Sequence, residues 1–317
     1  MPHSQYAGFP MSHTYAYLGP RGTFTEAALT AMPASSGANL VAADSVPQAL
    51  EMVRDGKVDG ALVPIENSVE GSVPTTLDDL SHGAPLEIVD EIAIPVTFGL
   101  LVRSGTTLAD ITRLATHPHA HAQCLAWLRE NLPDVHVLPA MSTAAAAAEL
   151  TEGATYQAAI CSTVAAGHYG LDVLRDDIGD NDAAWTRFIL VRRAGHLAAP
   201  SGNDKTTVSL FMHEDHPGAL LEILTEFAVR GVNLTRIESR PTKKALGDYF
   251  FSIDFEGHIS DERVGEAMRG LHRIWADVKF LGSYPRHDSS QAKVKHSVTD
   301  AAFREAREWL AALRAQR

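Results

Sequence analysis

Cysteine is scarce in this chain of 317 residues: only Cys124 and Cys161 carry thiols. With no C-x-x-C pair, they exclude a disulfide framework or a cysteine-based zinc site and fit a reducing compartment. Long apolar runs are missing too, since no stretch approaches the roughly 18 residues of a membrane helix. The opening MPHSQYAGFPMSH has neither a basic n-region nor a continuous apolar segment, so residues 1–13 read as a disordered leader. A cytoplasmic protein without a membrane partner is expected. Positive charge is in deficit, with 27 Lys and Arg against 39 Asp and Glu and a formal net charge of -12. Bulk attraction to nucleic acid or anionic lipid is thereby excluded. An anionic small molecule is not, because arginines and helix N-termini can reverse the field inside a cleft. Also lacking are a P-loop, a G-x-S-x-G elbow and a G-x-G-x-x-G with its downstream acid, which leaves nucleotide cofactors and nucleophilic triads unsupported.

What is present is an alternation of strand and helix. Apolar strand patterns recur at TYAYLG, NLVAAD, GALVPIE, ITRLATH, VHVLPA, AAICS and TRFILVRR. A long paired segment over 86–103 looks like a crossover. Helix-period segments fall between several of them, at 25–32, 46–56, 121–131 and 142–153, which predicts parallel sheets covered by helices. Two α/β lobes are expected over 14–193. A small, polar, Gly- and Pro-containing linker follows at 194–205. Over 206–284 the order becomes βαββαβ, a ferredoxin-like unit whose first helix is opened by Pro217 and closed by Gly231. Residues 285–317 add a charged amphipathic helix, expected to pack on a domain or a second subunit.

Four stretches could carry chemistry. YLGPRGTFTEAAL joins a glycine turn to a Thr23-x-x-Glu26 capping box, which presents a helix N-terminus after a strand. PIENSVEGSV clusters Glu66, Asn67 and Ser68 at a strand end. They can hydrogen-bond a ligand's carboxylate or hydroxyl, or simply close an Asx-turn. HPHAHAQC sets His117, His121 and Cys124 at helical spacing, but without a second ligand cluster it reads as a helix start with Pro118 at the first position. Ser142 and Thr143 open another helix. Finally, Thr186-Arg187-Phe188 places a hydroxyl and a guanidinium at the mouth of an apolar strand, where α/β proteins put their chemistry.

Together, YLGPRGTFTEAAL, PIENSVEGSV, HPHAHAQC, STAAAAAEL and TRF resemble the prephenate dehydratase family in order and spacing. PGALLEIL and NLTRIESRP resemble its ACT regulatory domain. The resemblance covers about residues 14–284, with His119 standing where the family usually has glutamine. It implies a two-lobed, periplasmic-binding-protein-like α/β catalytic domain followed by a ferredoxin-like ACT domain. It implies conversion of prephenate to phenylpyruvate, with loss of water and CO2 and without a cofactor or metal. In that reading Thr186 hydrogen-bonds the leaving hydroxyl, Arg187 binds a carboxylate or holds the loop, and Phe188 packs beside the ring. Thr23, Asn67, Ser68, Ser142 and Thr143 line the pocket, and Glu66 is a candidate acid provided that it is buried. The ACT resemblance implies that L-phenylalanine binds between two such domains in a homo-oligomer, a dimer or tetramer, at Gly218, Ala219, Leu220, Asn233, Leu234, Glu238, Ser239 and Arg240. Two alternatives stand beside this reading: an arogenate dehydratase, and an amino-acid sensor without catalysis.

Overall fold

The computed structural model describes residues 13–315, except 182, 196, 213–215, 246, 276, 289 and 291–293. All but His13 of the expected leader therefore lies outside the described residues. The chain begins with β1 (Thr14–Leu18), α1 (Phe24–Ala31), β2 (Asn39–Ala43), α2 (Val46–Arg54) and β3 (Gly60–Asn67). The first helix starts at its expected cap, where Thr23 Oγ1 accepts from the Glu26 amide, and Ser45 plays the same part for Gln48 at the start of α2. Next come β4 (Gly71–Ser72), α3 (Pro74–His82), β5 (Leu86–Pro95), β6 (Gly99–Val102), β7 (Arg113–Thr116), α4 (Pro118–Ala122), α5 (Leu125–Asn131), β8 (His136–Pro139), α6 (Thr143–Thr151), β9 (Ala158–Cys161), α7 (Val164–Tyr169), β10 (Asp172–Arg175) and β11 (Trp185–Arg193). The C-terminal part holds β12 (Asp204–Phe211), α8 (Ala219–Ala228), β13 (Leu234–Pro241), β14 (Tyr249–Glu256), α9 (Glu262–Ile274), β15 (Asp277–Pro285) and α10 (Asp300–Ala315). No helix among the described residues is long and apolar enough to cross a membrane.

The mixed α/β class and the ferredoxin-like order match expectation, but two local readings are corrected. The paired segment 86–103 does consist of two strands that belong to different sheets, parted where Val96 donates its amide to Ala184 O. The helix expected at 121–131 breaks at Gln123 and Cys124, where Cys124 adopts non-helical φ and ψ. The sheets are also not purely parallel. β6 pairs antiparallel with both β9 and β10, while β7 runs parallel to β8 and β9.

Compactness does not divide the chain at 194–205. One unit comprises the residues up to Val63 with Ile94–Trp185; the other comprises Pro64–Ala93 with the residues from Thr186 onward. In the first unit, β1 lies parallel between β2 and β3, and the five-stranded sheet runs β10-β6-β9-β7-β8. The alanines of α6 are small enough to let the helix lie close over this sheet, and Ala146, Ala147 and Leu150 join one core with Ala115, Ala159 and Cys161. The second unit carries β5 beside β11 and a four-stranded sheet of order β13-β14-β12-β15. Its core packs Ile223 and Phe227 of α8 and Val264 and Leu271 of α9 against Val208, Ile253 and Phe255. α10 buries no residue and meets the start of α9, where the Glu262 amide donates to Asp300 Oδ1 at 3.0 Å.

Within the second unit, β15 comes against β5 at Gly282, whose φ is +141°. A Cβ at this position would overlap the backbone oxygen and nitrogen of Ile88. Backbone cannot swing aside as a side chain can, so Gly282→Ala is expected to cost about 3 kcal/mol of stability. Urea unfolding measures it, and a variant within 0.5 kcal/mol of the parent, roughly the range of neutral surface changes, would show that β15 does not rest on β5.

Candidate active site

In the second unit the end of β3 and the start of β11 bring two of the expected site residues together. β4 folds back on β3 so that Glu66 faces Ser72 and Asn67 faces Gly71. Asn67 divides its amide between two tasks. Its Oδ1 accepts from the amides of Val69 (2.8 Å) and Glu70 (3.0 Å), closing an Asx-turn, and its Nδ2 donates to Thr186 Oγ1 at 2.8 Å. The turn thus fixes the side chain that holds the hydroxyl, and the Asx-turn reading of this cluster is realised. Ser68 sits in the same turn, exposed. Strand alternation then sends Thr186 and Phe188 to one face of β11 and Arg187 to the other. Phe188 is 2% exposed, which makes it a core residue, one pleat beyond Thr186.

Arg187 is buried among the protein's own carboxylates. Its Nη2 donates to Asp254 of β14, and its Nη1 and Nε lie 3.7 Å from Glu66 Oε2 and Glu91 Oε2. Of the two roles expected for Arg187, its placement fits holding the loop. Asp254 in turn accepts from Arg236 Nε (3.0 Å) and Nη2 (2.8 Å) and from Thr207 Oγ1 (2.9 Å). Glu91 takes both oxygens to Lys205 Nζ, at 2.9 and 3.0 Å, and accepts the His287 amide. Glu66 is 39% exposed and beside a guanidinium, so the burial its acid role required is missing.

Burial by itself would raise the Asp254 carboxyl, but Arg236 and Arg187 overcome it and hold the group far below the usual carboxylate range. Glu91 behaves alike: burial pushes it up, and His287, Arg187 and Lys205 bring it net downward. Carboxyls depressed in the fold stabilise it above their unfolded pKa values of about 4 and lose that contribution as pH falls. The urea midpoint is therefore expected to hold steady above about pH 5 and to fall below about pH 4. The acid loss should be smaller in Asp254→Asn; an equal loss in the variant would remove Asp254 from the account.

Sequence reasoning missed Glu91, Asp254, Lys205 and Arg236, although a signal existed. Asp254 interrupts the apolar run FFSIDF of a central strand, and a charge there must be paired.

In the first unit, Thr23 Oγ1 donates to Leu18 O (3.0 Å) while accepting from the Glu26 amide (3.3 Å), so its hydroxyl already serves the fold twice. Glu26 completes the capping box differently from expectation. Its Oε2 accepts the Gly22 amide at 2.6 Å and lies 3.1 Å from His168 Nε2 of α7, a pairing no sequence pattern announced. Ser142 caps α6, accepting from the Ala145 amide at 3.0 Å, and Thr143 is the first helical residue; both are half-buried. His117 caps α4, with Pro118 following. The helix break separates His121 from Cys124, whose thiol is buried and pushed up to about 12 by that burial and by Asp180 and Asp177.

The expected effector residues part into two groups. Gly218, Ala219, Leu220 and Ser239, with Tyr249 and Phe251, line a cavity of about 320 Å³ at the start of α8. The others are placed elsewhere. Glu238 accepts from Ser72 Oγ at 3.1 Å, and Arg240 pairs with Asp78 through Nε (3.2 Å) and Nη2 (3.1 Å). Period-two alternation is the reason: Ser239 faces the cavity, and its neighbours face the other side of β13. Asn233 is exposed, its carbonyl taking the Glu256 amide, and Leu234 packs on the sheet core.

The family model for prephenate dehydratase matches residues 15–196, and that for the ACT domain matches 206–273. A prephenate dehydratase of Amycolatopsis methanolica is 45% identical over 299 residues, covering 94% of this chain and 97% of its own. The crystal structure of a prephenate dehydratase from Arthrobacter aurescens in complex with L-Phe is 52% identical, with a TM-score of 0.90, over 95% of this chain and 99% of that one. GqqA, described as a novel type of quorum quenching acylase, shares 32% identity and a TM-score of 0.76 over 86% of this chain and 97% of its own. This chain belongs to the prephenate dehydratase family of hydro-lyases and carries an ACT domain in its C-terminal region.

Proposed function

We propose that the chain converts prephenate into phenylpyruvate, CO2 and water, and that L-phenylalanine restrains the reaction from the ACT domain. The observation that carries the reading is the hydrogen bond from Asn67 Nδ2 to Thr186 Oγ1. A threonine oxygen that accepts from an amide keeps its own proton for another acceptor, and donation to the oxygen strengthens the hydroxyl as a donor. That is what a departing hydroxyl needs. In the reaction the bond to the ring carboxylate breaks, and its electron pair completes the aromatic ring. The C–O bond at the opposite carbon breaks in the same sense, and the leaving hydroxide takes up one proton to become water. Aromatisation supplies the driving force, so the protein's task is to position the substrate and stabilise the leaving oxygen. Thr186 makes the hydrogen bond to that oxygen and Asn67 aims it.

The effector reading rests on the cavity at Gly218, Ala219 and Ser239, where backbone amides at the start of α8 suit a carboxylate and Phe251 and Tyr249 suit an aromatic ring. A relative of 52% identity is in complex with L-Phe. A second copy of the chain completes this site in the proposed homo-oligomer.

The test is phenylpyruvate formation by the purified protein with prephenate, with and without L-phenylalanine. Arogenate and an N-acyl amide serve as competing substrates, and light scattering gives the mass. Prephenate turnover suppressed by L-phenylalanine is expected. Turnover of arogenate alone, or of the amide alone, would overturn the substrate assignment.

A further inference from the structure

The ACT sheet meets β11 through the Asp254 carboxylate. Asp254 lies on β14, with its side chain fully buried, and accepts four hydrogen bonds on its two oxygens: one from Arg187, two from Arg236 and one from Thr207. A carboxylate held by four donors cannot swivel, so it defines where the Arg187 guanidinium sits. Arg187 has two other anions within reach, Glu66 and Glu91, each at 3.7 Å and beyond hydrogen-bond distance. Its buried Nε has no hydrogen-bond partner among the described residues. Asp254 therefore decides among three competing positions for the guanidinium. Two of the residues that respond are adjacent in sequence to the proposed reaction site, since Thr186 precedes Arg187 on β11 and Glu66 precedes Asn67 on β3.

We propose that Asp254, a residue of the ACT domain, is a positioning residue for the reaction: by anchoring Arg187 it keeps the Thr186 hydroxyl in register with Asn67. The proposal rests on the reading of Thr186 given above. Without the Asp254 charge the guanidinium closes the gap to Glu91 or Glu66, a displacement on the order of 1 Å, and β11 or the β3–β4 turn follows it. A misplacement of that size costs about 100-fold in rate when the displaced group must meet a transition state.

The variant that tests this in the full chain is Asp254→Asn, which keeps the shape and removes the charge. Its kcat for prephenate is expected to fall roughly 10- to 100-fold, with KM changing less than about threefold. L-phenylalanine binding, followed by calorimetry, should persist and report a folded ACT domain. Because Asp254 acts through Arg187, the double variant with Arg187→Gln should be no slower than Arg187→Gln alone. A wild-type kcat in folded Asp254→Asn, or losses that multiply in the double variant, would overturn the proposal. Should Asp254→Asn not fold, Thr207→Val removes one of the four donors. Its expected severalfold loss of kcat must vanish in the Arg187→Gln background, and an unchanged kcat counts against the idea. Wild-type turnover of prephenate decides the functional reading separately. A crystal structure of Asp254→Asn or Thr207→Val decides the geometry even if another substrate is used, since Arg187 and Thr186 left in place would sink it.

Discussion

Thr186→Ala is expected to lower kcat for prephenate by roughly 100- to 10,000-fold, the range for loss of a positioned proton donor, while the protein stays folded. The reasons are local. Thr186 is nearly buried, its oxygen takes the Asn67 amide at 2.8 Å, and its proton is left to point elsewhere. Removing the hydroxyl strands one half-buried amide donor, a cost of about 1 kcal/mol that a family member of this size tolerates. Thr186→Ser, which keeps the oxygen but frees its rotamer, should fall between the two, and Thr186→Val should match alanine despite its near-identical shape. Steady-state kinetics with urea unfolding on the same samples separates rate from stability. A valine variant with near-parental kcat would mean that shape, not the hydroxyl, is what β11 contributes.

The largest effect on stability is expected at Asp254. The buried cluster sets three cations, Arg187, Arg236 and Lys205, against two carboxylates, Asp254 and Glu91. Glu66, 39% exposed, remains within reach of water. Truncating Asp254 leaves three positive charges facing one negative in a site closed to solvent. Asp254→Ala should therefore cost about 3–5 kcal/mol, the penalty for stranding buried charge. Truncating Arg187 leaves two of each sign, so Arg187→Met should cost clearly less. That order reverses the intuition that the residue with more ion pairs matters more. Burial already presses on the cluster, for it lowers the pKa of Lys205, helped by Arg187 and opposed by Glu91. Urea midpoints at unchanged m-value provide the comparison. Finding Arg187→Met more damaging than Asp254→Ala would show that the charge count does not govern this cluster.

The same residues mark where the sequence was legible. Thr23 and Ser142 were readable as helix caps because a cap is decided by residues three apart. β11 was readable as a strand from its apolar run Phe188–Val191, but which side of it Thr186, Arg187 and Phe188 each meet was not. The break after Gln123 was not readable either, since helical spacing continues through it, and the Asp180 side chain that takes the Ala126 and Trp127 amides there is distant in sequence. For Glu238 and Arg240, the motif was visible but its faces were not. Deciding which residues of β13 look into the cavity requires knowing which side of the sheet carries α8.

By itself the sequence determined the class of fold, the order of its elements and the family resemblance, and it singled out Thr186-Arg187-Phe188 as candidates, all of which depend on neighbours within a few turns of chain. Tertiary structure alone decided what those residues touch. Asn67 and Thr186 are 119 residues apart, and Arg187 and Asp254 are 67 apart. Any of the chain's 39 acidic residues could have answered a buried guanidinium. Choosing among them is a matter of strand order and register, which are set by burial of the whole core, so the partner of Arg187 appears only once the ACT sheet is folded against β5.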